Sequence, residues 1–582
     1  MVVAVQAVEA GGVLEQQQTV ALRGTPAYAS ASSKSRYSLR RLCSSSELAS
    51  MKEILYIQAG PLANFIGTHF WNTQESYFTY GEEEEPVVYH DRSFREGLTR
   101  KVTLFALLRA NFPKLTSTDK RESRHSVRDS KAAQFGALSD ELYGNADEPD
   151  INQWEAGVVE YRRARIPKSD YQTALDQGLD ESDEHQDDDK AVPTKTPNIR
   201  FWSDFSRVYY HPRTAQKLPD LADWERAEGE WNASRETFSN YEHGHEVMEN
   251  EVRLFVEECN ALQGIQLTSD CGTFGGFTDA FLTVFRDEYP KMPSLAFPLL
   301  SNASNLRVSA DEEANAMKLI NDALCIRSLE TLSTINVPLQ HPSTWHRGKW
   351  LEDLNIDVKL MTSTCLRAVS NPYHTSALLA THIESVTLPL RLNESSYDIS
   401  TLSSMLNASA TLSISHMSGM YPVPSEINWS CEAESESTIC PLRLKPMRDM
   451  ETCVARGFSP SERTKLEDYF RAKTPTPFSI PAPPYPTPSS FPHFCSRTRR
   501  EDRHRVLSSL STSSATAPLL ASYATLAQEC VDRRADVVTR MGLEFDEMRE
   551  LKDELWALCD RYAGPDEEWR GSKEDVLSED EE

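Results

Sequence analysis

The residues best suited to chemistry lie in two segments about two hundred positions apart. QLTSDCGTFGGFTDAFLTVFRDEYP, from Gln266 to Pro290, passes from a strand pattern through a glycine-rich turn into a helix. MKEILYIQAGPLANFIGTHFW, from Met51 to Trp71, repeats the order with a turn of small residues. A turn of this kind presents backbone N–H groups at a helix N-terminus, where they can hold a phosphate. The question these segments pose is whether the chain binds a nucleotide or keeps only the scaffold. Other chemistries have less support: the sequence holds no GxxxxGK[ST], HExxH or GxSxG motif. His243 and His245, flanked by Glu242 and Glu246, have metal-ligand spacing but read as surface residues ahead of a helix. Eleven cysteines without a CxxC pair suit reduced thiols, and Cys271 reads as a small thiol filling a turn.

The elements that must position these segments follow from periodicity. Ile54 to Ile57 is a short continuous apolar run of the kind buried in a parallel sheet, and a helix is expected from about Leu62, with Phe65, Ile66, His69 and Phe70 on one face. Met248, Val252, Phe255, Cys259 and Leu262 recur at helical spacing, with Gly264 as the expected stop. Strand and helix alternate as a parallel α/β sheet requires. The predicted fold is therefore α/β, a parallel sheet flanked by helices, followed by a smaller α+β domain and C-terminal helices.

The expected divisions are an extension over 1–50, a nucleotide-binding-type domain over 51–300, a second domain over 301–470, a proline-rich linker over 471–492, a helical region over 493–564 and an acidic tail over 565–582. Within the first domain, 116–144 is irregular and 179–190 is an acidic loop. The extension has acidic Met1 to Ala21 followed by basic, Ser-rich Arg23 to Ser46, the wrong order for a presequence. It is expected to be disordered or an artefact of the assigned start, with Met51 as the working start. Val538, Met541, Phe545, Met548, Leu551, Leu555 and Leu558 predict one long amphipathic helix. A formal charge of -27 over 582 residues argues against direct nucleic-acid binding, which needs clustered Lys and Arg. No apolar run reaches the length of a membrane span.

Met51 to Trp71 is similar to the opening of the tubulins, and Gln266 to Pro290 resembles the tubulin glycine signature with its following helix. RFWSDF at Arg200 to Phe205, YYHPR at Tyr209 to Arg213 and RIPKS at Arg165 to Ser169 are not tubulin sequences. They resemble the Misato family of tubulin-like proteins, and that likeness covers roughly Met51 to Leu300. The resemblance implies a tubulin-like fold and a role in partitioning mitochondria and inheriting mitochondrial DNA, at the mitochondrion with a cytoplasmic pool. It implies protein partners: self-association, or cytoskeletal or chaperonin components.

The same resemblance assigns Gly60, Asn64, Gly67, Gly272, Thr273, Gly275 and Gly276 as cofactor-binding residues if GTP is bound. The departures count against that. Asp270, Cys271 and Phe274 stand where the signature has glycines, and Pro61, which lacks an N–H, stands with Leu62 and Phe65 where the tubulins have polar groups. A carboxylate at 270 beside a phosphate is a like-charge contact of about 4 kcal/mol at 4 Å and an effective dielectric of 20. Ser328 is expected in place of the asparagine that holds guanine. Leu354 to Val358 resembles the tubulin loop that reaches the neighbouring subunit's nucleotide, and Leu360, two residues beyond it, stands where an acid would activate water, which leucine cannot do because it cannot take a proton. The expectation is a non-catalytic protein with neither cofactor nor metal. The alternatives are a GTP-binding, polymer-forming protein and a cytosolic adaptor for chaperonin or cytoskeletal assembly. Trp202 to Phe205 is expected to pack at a core or seam rather than form a partner patch.

Overall fold

A strand that is apolar on both sides needs cover on both faces, and Glu53–Ala59 (β1) is buried along its whole length. The computed structural model describes residues 2–3, 52–78, 86–95, 101–108 except 103, 199, 201–208, 215–217, 230–301, 313–341, 371–407 except 394 and 396, 412–423, 451–473, 478–492 and 503–562 except 513. Around β1 lie Leu104–Leu108 (β2), Ala215–Lys217 (β3), Leu262–Asp270 (β4), Ser294–Leu299 (β5) and Ile335–Asn336 (β6). They form one sheet in the order β3-β2-β1-β4-β5-β6, parallel at every pairing.

Alternate residues serve opposite layers. Leu55, Ile57, Ile265 and Leu267 share a core with Trp231–His245 (α2), Cys271–Glu288 (α3), Glu313–Leu332 (α4), Ala517–Asp532 and Phe545–Tyr562. Ile54, Tyr56, Leu295 and Phe297 share another with Pro61–Glu75 (α1) and Pro372–Thr387 (α5). The Ala517–Asp532 helix (α6) and the Phe545–Tyr562 helix (α7) thus cover one side of the sheet. A second sheet, in the order His416–Met420 (β7), Val506–Ser511 (β10), Glu451–Arg456 (β8) and Phe478–Ala482 (β9), packs beyond α5. Only β8 and β9 run parallel in it. The expected α/β architecture, with a smaller β-containing domain and C-terminal helices, is present.

Five boundaries differ from expectation. Leu262 and Gly264 belong to β4, not to the end of the preceding helix; a Cβ at Gly264 would lie 2.5 Å from the Pro293 carbonyl, so the glycine serves close strand approach. The first sheet continues past residue 300, since α4 and β6 complete it. The proline-rich stretch is extended, as expected, but β9 pairs with β8 and Tyr485 is wholly buried, so it is part of the second domain rather than a loose linker. The region after 493 likewise supplies β10 to that domain. The single helix expected from Val538 divides at Gly542, whose φ of 69° suits a residue without Cβ, into Asp536–Arg540 and α7.

Residues 4–50, Arg165 to Ser169, Tyr209 to Arg213, the segments 116–144 and 179–190, Leu354 to Leu360 and the acidic tail lie outside the described residues. Among the described residues no helix is long and apolar enough to cross a membrane.

Candidate functional site at the sheet switch point

Strand order reverses between β1 and β4, and in open parallel sheets ligands sit in the crevice outside the strand ends at such a point. Here β1 ends on Ala59 and passes through Gly60 into α1 at Pro61, and β4 ends on Asp270, with α3 starting at Cys271. The register pairs Ala59 with Ser269, which sets Gly60 and Asp270 side by side. Gly60 has φ 120°, and a Cβ there would lie 2.4 Å from Asp270 Cγ. The glycine is required so that the Asp270 side chain can pass.

That side chain crosses the crevice. Leu62 N–H donates to Asp270 Oδ2 at 2.9 Å and Ala63 N–H donates to Oδ1 at 2.9 Å. The carboxylate therefore caps the N-terminus of α1, which has no cap from its own preceding residue. Burial pushes the Asp270 carboxyl up to about 7, while the two N–H donors pull it down. Its own helix, α3, is left without a side-chain cap.

The structure assembles only part of the expected residue set. Gly60 and Asn64 lie at the start of α1, and Gly272 and Thr273 at the start of α3, so these four flank the crevice. There is no glycine loop, because helix begins directly at Cys271. Gly275 and Gly276 face α2 instead: a Cβ at the first would meet the Trp231 ring at 2.9 Å, and one at the second the Trp231 carbonyl at 2.3 Å. Gly67 lies under the Gln58 side chain, 2.0 Å from where its Cβ would be. These three glycines permit close packing rather than ligand approach.

Ser328 is not at the crevice. Its hydroxyl donates to Asp279 Oδ1 at 2.6 Å, further along α3, an acid that Arg235 also pairs at 2.8 Å. Asn321 of α4 does reach the start of α3, where its Nδ2 donates to the Gly272 carbonyl at 3.4 Å. Beside it Asp322, wholly buried, accepts from Ser301 N–H at 3.1 and 3.0 Å, from Ser301 Oγ at 2.7 Å and from Tyr523 OH at 3.3 Å. Burial pushes the Asp322 carboxyl up to about 7 against those donors. Sequence reasoning missed Asn321 and Asp322; the available signal was a polar pair inside an otherwise apolar helical stretch. Burial also drives the Cys271 thiol well above its usual range, with Cys325 beside it, which makes it a packing residue rather than a nucleophile.

The remaining sequence candidates resolve into structure. Glu242 accepts from Met248 N–H, at 3.2 Å to each oxygen, and His245 packs on Tyr241, so the His243 and His245 segment is a helix end. Among the described residues no group of three or more His, Cys, Asp and Glu is placed to hold a metal. Phe205 is buried against His69 and Tyr373, the core packing expected of this stretch, while Trp202 is half-buried.

Two family descriptions match the chain: a Misato Segment II tubulin-like domain over residues 52–177 and a Tubulin domain over residues 191–392. Among curated proteins, the chain is 32% identical over 353 residues to Protein DML1 of Gibberella zeae, covering 60% of this chain and 62% of that one. It is 30% identical over 370 residues to Protein misato of Drosophila melanogaster, covering 59% and 60%. To Protein dml1 of Aspergillus clavatus it is 28% identical over 544 residues, 87% of this chain and 98% of the other. The aligned stretch thus spans less than two thirds of DML1 from Gibberella and of misato.

Proposed function

The chain belongs to the Misato family of tubulin-like proteins, and from that membership we propose that it acts in partitioning mitochondria and inheriting mitochondrial DNA, as a non-catalytic binding protein at the mitochondrion. The mitochondrial part of this reading rests on family membership alone. Its non-catalytic part rests on one observation: the Asp270 carboxylate occupies the N–H groups of Leu62 and Ala63 at the switch point. A nucleotide phosphate there would meet a carboxylate where tubulin-like phosphate sites offer bare backbone.

The chain's own residues then act by shape and contact. The parallel sheet and its helices form a stable body, and partners are proteins that recognise it: another copy, or cytoskeletal or chaperonin components. The test is calorimetric titration of GTP and GDP, with magnesium, into the full-length protein. No heat up to millimolar nucleotide is expected, and micromolar binding would overturn the non-catalytic scaffold reading. Organelle fractionation tests the other half, since purely cytosolic recovery would favour an adaptor for chaperonin or cytoskeletal assembly.

A second reading, a GTP-binding and polymer-forming protein, has one feature in its favour. The N-terminus of α3 has no side-chain cap, and Asn321 reaches the Gly272 carbonyl beside it. Under that reading the titration succeeds and the protein pellets in a GTP-dependent way.

A further inference from the structure

We propose that Asp270 is a built-in anion latch: its carboxylate takes the place of an external anion at the N-terminus of α1, and in doing so ties the end of β4 to α1 and closes the switch point. This inference rests on the scaffold reading above and names the device that enforces it. Three observations converge on it. The carboxylate accepts from Leu62 and Ala63 N–H at 2.9 Å each, the two-donor arrangement by which a helix N-terminus holds an anion. Gly60 leaves the space the side chain needs, since any Cβ there would overlap Asp270 Cγ. Asp270 gives no cap to its own helix, so its side chain is committed to the neighbouring one.

The physical consequence is competition at one place. An incoming phosphate would have to displace hydrogen bonds already made within the chain and approach a carboxylate in a partly buried setting. Burial raises the carboxyl, which is the mark of a negative charge held where water solvates it poorly. Removing the carboxylate should leave two unpaired N–H donors that a small anion can satisfy.

The experiment compares full-length wild type, Asp270→Gly and Asp270→Asn by calorimetry with inorganic pyrophosphate, and by thermal melting in formate against chloride at equal ionic strength. The expected result is at least about tenfold tighter pyrophosphate binding by Asp270→Gly than by wild type, given the like charge removed. Asp270→Asn, which keeps one acceptor, should fall between them. Formate should raise the melting temperature of Asp270→Gly and leave wild type unchanged. Equal pyrophosphate affinity in all three proteins, or an equal formate effect on wild type, overturns the latch. Should Asp270→Gly fail to fold, Asp270→Asn decides alone, and affinity unchanged from wild type overturns the proposal. Failure of the variants to gain affinity leaves the scaffold reading standing, whereas nucleotide binding by wild type would sink that reading independently.

Discussion

At the scale of single residues, the glycines of the Gln266 to Pro290 segment divide by what stands opposite them. Gly276 faces the Trp231 carbonyl, with a Cβ position only 2.3 Å away, whereas Gly272 faces the Ser301 Cβ at 3.3 Å. Gly276→Ala should therefore cost about 1–3 kcal/mol of stability through overpacking of α2 against α3. Gly272→Ala should cost clearly less, because its neighbour has only to give by tenths of an ångström. Urea denaturation of both variants checks this, and a neutral Gly276→Ala would refute the packing role. Aspartate at 276 would fail in the same steric way, so it reports on helix packing and not on phosphate. A glycine-rich signature thus survives here in part because two helices need to approach closely.

At the scale of elements, α1 links the crevice to the second domain. Its first turn is held by Asp270, and its last turns enter a buried polar network. Gln74 Nε2 donates to Glu384 Oε1 at 3.1 Å, Thr73 bonds Tyr485 OH at 2.8 Å, and Asn72 donates to the Phe205 carbonyl and Ser490 Oγ. Glu384, on α5, also pairs with Arg391 at 3.3 Å and with Arg456 of β8, all three wholly or almost wholly buried. Burial alone would raise the Glu384 carboxyl, but the guanidiniums of Arg456 and Arg391 hold it below its usual value. Removing the acid would strand two buried cations, so Glu384→Gln should cost about 3–5 kcal/mol. The exposed pair of Lys52 with Asp398 offers a contrast, and Lys52→Ala should cost under about 1 kcal/mol. Equal losses in a denaturant titration would show that the network does not bind α1 to the second domain.

At the scale of the whole molecule, buried histidines and buried carboxylates set opposing pH dependences. Burial lowers His69 to about 3, with the Tyr373 carbonyl pulling the other way, and lowers His341, His374 and His382 to about 4. Each is depressed below its unfolded value of 6.5, so each contributes stability that is complete above that pH and lost as pH falls towards 4. Asp270 and Asp322 are raised to about 7, above their unfolded value of 3.8, so their cost is relieved over the same acidic window. Among these most strongly shifted groups four histidines outweigh two carboxylates, for a net loss of stability between about pH 6.5 and 4.5, and Glu75 and Glu242, which burial also raises, oppose it. Thermal melting across that range should show it. His382→Gln should flatten the slope and Asp322→Asn should steepen it; an unchanged slope in both would overturn the assignment.

What the sequence determined by itself were the features that depend on local pattern. The apolar run of β1, the strand-turn-helix order at Met51 and Gln266, and the alternation that demands a parallel sheet are all properties of near neighbours along the chain. The loss of glycines from the phosphate signature was legible in the same way, as was the misfit of a carboxylate at 270. What that carboxylate does was decided only by tertiary structure, because its donors lie on α1, 207 and 208 positions away. The same holds for Asn321 in place of Ser328 at the crevice: a helical stretch shows spacing, and only the packing of α3 on α4 decides which turn meets Gly272. The proline-rich stretch read as a linker because prolines lower strand propensity, yet one edge of β8 was open to pair with β9, and Tyr485 packs into the core that α1 and α5 share. Composition cannot register a partner strand supplied by another part of the chain, and hydrogen bonding to that strand is what fixed the segment in place.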